Sequence, residues 1–225
     1  MNERKVSLEP RGDEELTIKL KEKAASGGAD LFGIADAKDF SKYAEKRSPF
    51  YYLDKAKSVI VLGLHIFDPL LDAWIVSADN SRHYCVANEI LGAIAQGLTA
   101  MLYNEGKKAV LTTYGGIYTK DAAVLAKLGI IGSNNLLLTG KFGSSVRLRT
   151  IVTDADLVRS SNEPENFCAN CPKHCWSACP AKAFAGGQFN KELCDGYSDK
   201  NVRQLSASTY LYCRICETAC PIGKK

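Results

Sequence analysis

The sequence predicts a layered α/β sandwich over residues 1–161 and a small cysteine-rich unit over residues 162–225. Three observations lead there. Short, β-branched apolar runs alternate with segments of helical period, the pattern of a sheet covered by helices. Eight of the nine cysteines fall after residue 167, and only Cys85 lies outside that tail. Between the two parts runs "NEPEN", residues 162–166, a polar stretch holding Pro164 that reads as a linker.

Residues 14–26 set Leu16, Leu20 and Ala24 at helical spacing, with Gly27-Gly28 as the stop. "DLFGIAD" and "SVIVLGLHIF" are short and apolar and predict buried strands. From residue 82 to 104, Tyr84, Ala87, Leu91, Ile94, Leu98 and Met101 step by threes and fours, which predicts a long helix ended by Gly106. "KAVLTT" then predicts a strand, "KDAAVLAKLG" a helix with Gly129 past its end, and "SVRLRTIVTD" a strand. With 46% apolar and 24% charged residues, the composition is that of a soluble globular protein. The formal charge of +4 is too mild to argue for a nucleic-acid partner. The N-terminal stretch is charged with no apolar core behind it, and no run of about 18 apolar residues exists. The expectation is a cytoplasmic protein with neither signal peptide nor membrane partner.

In a reducing compartment, thiols packed this densely read as metal ligands rather than disulfides. The tail runs Cys168-x2-Cys171-x3-Cys175-x3-Cys179-Pro180, then Cys194, then Cys213-x2-Cys216-x3-Cys220-Pro221. Two groups ending in Cys-Pro and separated by a helix-sized spacer are the layout of a protein with two 4Fe–4S clusters. Iron takes soft thiolate ligands, and short loops let successive sulfurs converge on one cuboidal centre. In the bacterial two-cluster arrangement, the cysteine before proline serves the other cluster. Cys168, Cys171 and Cys175 then take Cys220, while Cys213 and Cys216 take Cys179. That second set lacks one ligand, and Cys194 is the unassigned thiol nearest in sequence. Zinc also accepts Cys-x2-Cys pairs, and two zinc sites would use eight cysteines as well. Zinc ribbons rarely use three-cysteine runs ending in Cys-Pro. His174 reads as a polar loop residue and Cys85 as a small buried one.

Upstream of the tail, glycines at 129, 132, 140 and 143 flank Ser133-Asn134-Asn135 and Leu136-Leu137-Leu138. Such glycines suit backbone lying close against something flat or bulky. This segment, "LGIIGSNNLLLTGKFGSSVRLRTIVTDADL", followed by the cysteine tail, resembles the epoxyqueuosine reductases and their relatives, the reductive dehalogenases. Those proteins share a GLG-x-x-GKN-x-L-x-T-x-x-(F/Y)G-S-x-V-x-L-G-x-x-x-TD stretch, a four-cysteine group ending in Cys-Pro, a lone cysteine, and Cys-x2-Cys-x3-Cys-Pro. "DLFGIAD" and "KAKSVIVLGLHIF" extend the likeness over most of the chain. The resemblance implies a cobalamin-binding domain of modified nitroreductase-like α/β fold and a ferredoxin-like tail passing electrons to cobalt. It gives Cys194 to the cluster of Cys179, Cys213 and Cys216, and makes that cluster the one nearer the cobalt. It also makes Thr113, Ser133, Asn134, Leu137, Thr139, Phe142, Gly143 and Leu148 the corrinoid-facing residues.

The departures from that pattern bear on function. The family's Gly-Lys-Asn is Gly132-Ser133-Asn134 here, so a lysine is missing, and one extra residue separates Cys171 from Cys175. Aligning the Phe-Gly-Ser landmarks puts Thr113 where epoxyqueuosine reductases place a proton-donating Asp. Reductive dehalogenases use a tyrosine, so Tyr114 or Tyr118 is the available acid, unless both simply pack or line a pocket. The sequence reads to Lys225 without the C-terminal repeats that would grip a tRNA, and the expectation is that epoxyqueuosine itself is the less favoured substrate. The leading expectation is an oxidoreductase that passes single electrons from an external donor through two 4Fe–4S clusters to a corrinoid, which reduces a small substrate. The second is an electron carrier that serves a partner redox protein. A weaker third is tRNA modification of the epoxyqueuosine type.

Overall fold

A computed structural model describes residues 12–76, 82–112 and 116–223. Helix α1 (Glu14–Ser26) begins where the Asp13 carboxylate accepts the Leu16 N–H at 2.9 Å, and it buries Leu16, Leu20 and Ala24. Strand β1 (Leu31–Asp36) follows, then a short helix α2 (Pro49–Tyr52) and the eight-residue β2 (Ser58–His65). Two brief strands, β3 (Trp74–Val76) and β4 (Arg82–Cys85), precede the long helix α3 (Val86–Asn104). Strand β5 (Ala109–Leu111), helix α4 (Thr119–Leu125), the hairpin strands β6 (Ile130–Ile131) and β7 (Leu137–Leu138), and β8 (Val146–Thr153) complete the first part.

The central sheet has the order β1-β2-β8-β5, and every neighbouring pair is antiparallel. Strand β2 pairs along its whole length with β8, from Ser58 opposite Thr153 to His65 opposite Val146. Seven of its eight residues are buried because both faces of the sheet are covered. Ile60, Leu62 and Leu64 join Ile151 in packing against α1 and α3. Val59 and Val61 turn the other way, to Val152 and to Ala122, Ala123 and Ala126 in and just beyond α4. This is the layered sandwich read from the sequence. Ser58 ties the sheet to the chain after β8: its hydroxyl donates to the Ala155 carbonyl at 2.7 Å and accepts the Leu157 N–H at 3.1 Å.

One boundary differs from the sequence reading. The helical spacing runs from Tyr84, but α3 starts at Val86 and residues 82–85 form β4. Cys85 has extended dihedrals (φ −133°, ψ 126°), and its backbone pairs with Trp74 of β3. Ladder hydrogen bonds outweigh a period that continues by coincidence for one more turn. Cys85 is 1% exposed, as a small core residue would be, and burial pushes its thiol pKa up.

The cysteine-rich part contains α5 (His174–Ser177), α6 (Lys191–Lys200), β9 (Arg203–Gln204), β10 (Thr209–Leu211) and α7 (Ile215–Thr218). It does not stand apart from the sandwich. Strand β10 pairs antiparallel with β3, giving a second sheet of order β4-β3-β10-β9 that draws strands from both parts of the chain. No helix among the described residues is long and apolar enough to cross a membrane.

Candidate cluster and ligand site

Short turns of helix set the spacing of the thiols. Cys175 lies in α5 and Cys216 in α7, each a single turn packed against the other. Cys179 and Cys220 follow those turns, and Cys194 lies on α6. The fold sorts these thiols into two neighbourhoods. Cys168, Cys171, Cys175 and Cys220 line one cavity, together with Ser133, Asn134, Leu138, His174 and Pro221. Burial raises the Cys175 pKa, and the nearby thiols of Cys220, Cys168 and Cys171 raise it further. In the other neighbourhood, burial pushes Cys216 up to about 12, helped by Glu217, Cys194, Cys213 and Cys179. Cys194 is likewise raised by burial, then by Asp195, Cys213 and Cys179. Each neighbourhood therefore takes the cysteine preceding proline from the opposite run.

A second cavity, of about 260 Å³, lies between the sheet and the β6–β7 hairpin. It is lined by Trp74, Asn88, Thr119, Lys120, Leu136, Leu137, Ser144, Val146, Arg147 and Leu148. Only a thin wall separates it from the first cysteine cavity. On β7, Leu137 faces the ligand cavity and its neighbour Leu138 faces the thiols. Beside them, the Asn134 amide on the thiol side donates to the Ser144 hydroxyl on the ligand side at 3.0 Å. The second thiol neighbourhood reaches the same cavity by another route. Glu217 follows Cys216 and accepts from Arg147, which lines the cavity.

The corrinoid-facing residues expected from sequence therefore divide. Leu137 and Leu148 line the second cavity. Ser133 and Asn134 instead line the cysteine cavity. The Ser133 N–H donates to the Cys168 sulfur at 3.4 Å, and its carbonyl accepts the Trp176 indole N–H at 2.6 Å. Thr139 and Phe142 belong to a buried turn. The Thr139 hydroxyl donates to the Gly143 carbonyl at 3.1 Å and accepts the Phe142 N–H at the same distance. The Phe142 ring stacks on His65, with centroids 4.5 Å apart. Thr113 and Tyr114 lie outside the described residues. Tyr118 is 49% exposed, beneath the Arg47 guanidinium and beside Tyr43, next in sequence to the cavity residues Thr119 and Lys120.

The glycines have a reason that the sequence did not reveal. Gly143 has φ +57°, and a Cβ there would sit 2.1 Å from the Ile222 carbonyl oxygen. The bulky object it admits is the end of the protein's own cysteine tail. Gly143→Ala should cost more than about 1 kcal/mol through the left-handed backbone alone, and the clash adds to it. We expect a lower melting temperature and faster iron loss from reconstituted protein, followed by calorimetry and by chelator challenge.

Several residues that shape the site carried no sequence signal. Arg147 of β8 donates from Nε to Asp72 Oδ1 at 2.7 Å, pairs through Nη2 with Asp72 Oδ2, and reaches Glu217 at 3.3 Å. Arg214 pairs with Glu217 at 2.6 Å and with Asp72 at 3.6 Å. Burial alone would lower the Arg147 pKa, but Glu217 and Asp72 raise it overall. Trp176 stacks on Phe184 at 5.8 Å and holds the Ser133 loop against the tail.

No family model matches the chain. The chain is 27% identical over 151 residues to the epoxyqueuosine reductase of Lactococcus garvieae, covering 63% of this chain and 42% of that protein. It is 32% identical over 181 residues to a tetrachloroethene reductive dehalogenase of Desulfitobacterium hafniense, covering 77% of this chain and 30% of that protein. The chain belongs to the epoxyqueuosine reductase and reductive dehalogenase superfamily. Solved structures of both branches of the superfamily share its fold. An epoxyqueuosine reductase with a tRNA-Tyr stem loop superposes with TM-score 0.71 at 22% identity, over 93% of this chain and 65% of that one. A reductive dehalogenase superposes with TM-score 0.69 at 20% identity, over all of this chain and 34% of that one. The chain thus spans less than half the length of these curated superfamily relatives.

Proposed function

We propose that this protein is an iron–sulfur oxidoreductase in which two 4Fe–4S clusters pass electrons singly to a corrinoid that reduces a small substrate. The observation that carries this reading is the sorting of eight cysteines into two groups of four, with Cys179 and Cys220 exchanged between the runs. The donor set fits the clusters. Thiolates are soft ligands for iron, and iron offsets the burial, and after it the mutual repulsion, that raise the pKa of Cys175, Cys194 and Cys216.

Residues 1–161 would hold the acceptor and residues 162–225 the clusters, joined through the shared second sheet. Cys168, Cys171, Cys175 and Cys220 would bind one cluster, and Cys179, Cys194, Cys213 and Cys216 the other. The corrinoid reading rests on likeness to the structure described as suggesting a mechanism for B12-dependent dehalogenation. When bound, a corrinoid would supply low-potential cobalt chemistry. The chain's own part would be to exclude water with Leu137, Leu148 and Val146, and to supply a proton from Tyr114 or Tyr118. The Ser133 N–H would hydrogen-bond a cluster sulfur and so influence that cluster's potential.

One observation favours the carrier reading. The described ligand cavity is about 260 Å³, below the usual 300–1,000 Å³ of cofactor and ligand sites, and five expected wall residues are engaged elsewhere. Anaerobic reconstitution separates the two readings. Both expect about eight iron and eight sulfide per chain. Only the enzyme reading expects added cobalamin to co-elute with the protein and shift to the base-off spectrum. Full iron loading without cobalamin retention would leave the carrier.

A further inference from the structure

The cavity between the sheet and the β6–β7 hairpin holds two cations, Lys120 and Arg147, in otherwise neutral walls. Their situations differ. Arg147 and Arg214 share the two carboxylates of Asp72 and Glu217, so two positive charges meet two negative ones. The Lys120 ammonium has a neutral partner, the carbonyl of Asn135 at 2.5 Å. Among the described residues it forms no ion pair. Asp121, next in sequence, accepts from the Tyr43 hydroxyl at 3.0 Å, and its charge acts on Lys120 only through space, partly offsetting the effect of burial. Burial holds the Lys120 pKa below that of an ordinary lysine, the mark of a poorly solvated ammonium. A half-buried charge with one neutral hydrogen bond is an arrangement that a counter-ion improves.

We propose that this cavity takes a small ligand bearing a carboxylate or a comparable anionic group, which pairs with Lys120 while its apolar body lies against Trp74, Leu137 and Leu148. The cavity's 260 Å³ suits a ligand of roughly ten to fifteen non-hydrogen atoms. A whole corrinoid exceeds that volume, and the ligand named here is the substrate that would share the Leu137 and Leu148 wall with it. Lys120 is a positioning residue in this arrangement: it fixes one end of the ligand, and the apolar wall orients the other. The proposal names the substrate class for the site and rests on the reading above only for calling the ligand a substrate.

Calorimetric titration of the reconstituted protein with phenylacetate and with phenylacetamide tests it. The two probes have the same shape and differ in charge. Phenylacetate should bind at least about tenfold more tightly. Lys120→Gln should abolish that preference with the iron content unchanged, and Lys120→Arg should keep it. Equal binding of both probes, undetectable phenylacetate binding at roughly 10 mM, or an intact preference in Lys120→Gln would each overturn the proposal. Iron analysis of the same samples reads the cluster assignment separately. A chain that binds phenylacetate selectively yet takes up no iron would defeat the cluster reading and leave this one standing.

Discussion

Cys220→Ala should remove the cluster assigned to Cys168, Cys171 and Cys175 and leave the other in place. In sequence Cys220 closes the second run, only four residues after Cys216. In space it lines the cavity of the first run, and its thiol is among the causes that raise the Cys175 pKa. Losing one of four thiolates leaves an iron without its protein ligand, and the cluster is expected to fall out. Iron should drop by roughly half. Dithionite-reduced wild-type protein should show two interacting paramagnets by electron paramagnetic resonance, and the variant a single uncoupled one. Cys213→Ala supplies the comparison, because it should remove the other cluster. If Cys220→Ala and Cys213→Ala abolished the same signal, the exchange between runs would be wrong and each run would hold its own centre. If neither variant showed a paramagnet while zinc co-purified, the iron assignment itself would fail.

The expected exchange of Cys179 and Cys220 rests on the two-cluster precedent for a cysteine before proline, because counting alone balances equally well when each run keeps its own four. The strands were legible from composition. "SVIVLGLH" is apolar throughout because helices cover both faces of β2, and a period-free apolar run of eight residues has few other homes. What was not legible is what each polar or glycine position faces. Gly143 looked like room for a cofactor, but it makes room for Ile222, a partner 79 residues away that no local pattern announces. Asn134 looked like a ligand residue, but it closes its own turn by accepting the Leu136 N–H at 3.2 Å and donating to Ser144. Nothing in the sequence marked Lys120 as a cavity residue, because a seven-residue helix has too few turns to show which face is covered. These are long-range facts, and a single sequence records them only as residue types.

The largest stability effect is expected from Arg147→Met. Arg147 is the hinge of a charge network that joins the sheet, the segment before β3 and the cysteine tail, through Asp72 and Glu217. Both carboxylates are nearly sealed, with side chains 6% and 5% exposed. Removing the guanidinium leaves Arg214 to serve two buried anions. Breaking one side of such a pair costs about 3–5 kcal/mol, because the surviving charges remain desolvated. In a protein of this size that is roughly a 6–20 °C fall in melting temperature. The discriminating step is to remove charge on both sides. Arg147→Met combined with Asp72→Leu leaves Arg214 and Glu217 as a matched pair at 2.6 Å, so the double variant should recover a large part of the loss. Additive losses would show that Arg147 acts through packing of its stem rather than through its charge. The network also lies beside Cys216, whose neighbour Glu217 it anchors. Iron should therefore leave the Cys179, Cys194, Cys213 and Cys216 centre faster in Arg147→Met than in wild type, while the centre that includes Cys168 keeps its wild-type rate. Equal acceleration at both centres would mean that the tail loosens as one body, and that the ion pairs hold the whole tail rather than one end of it.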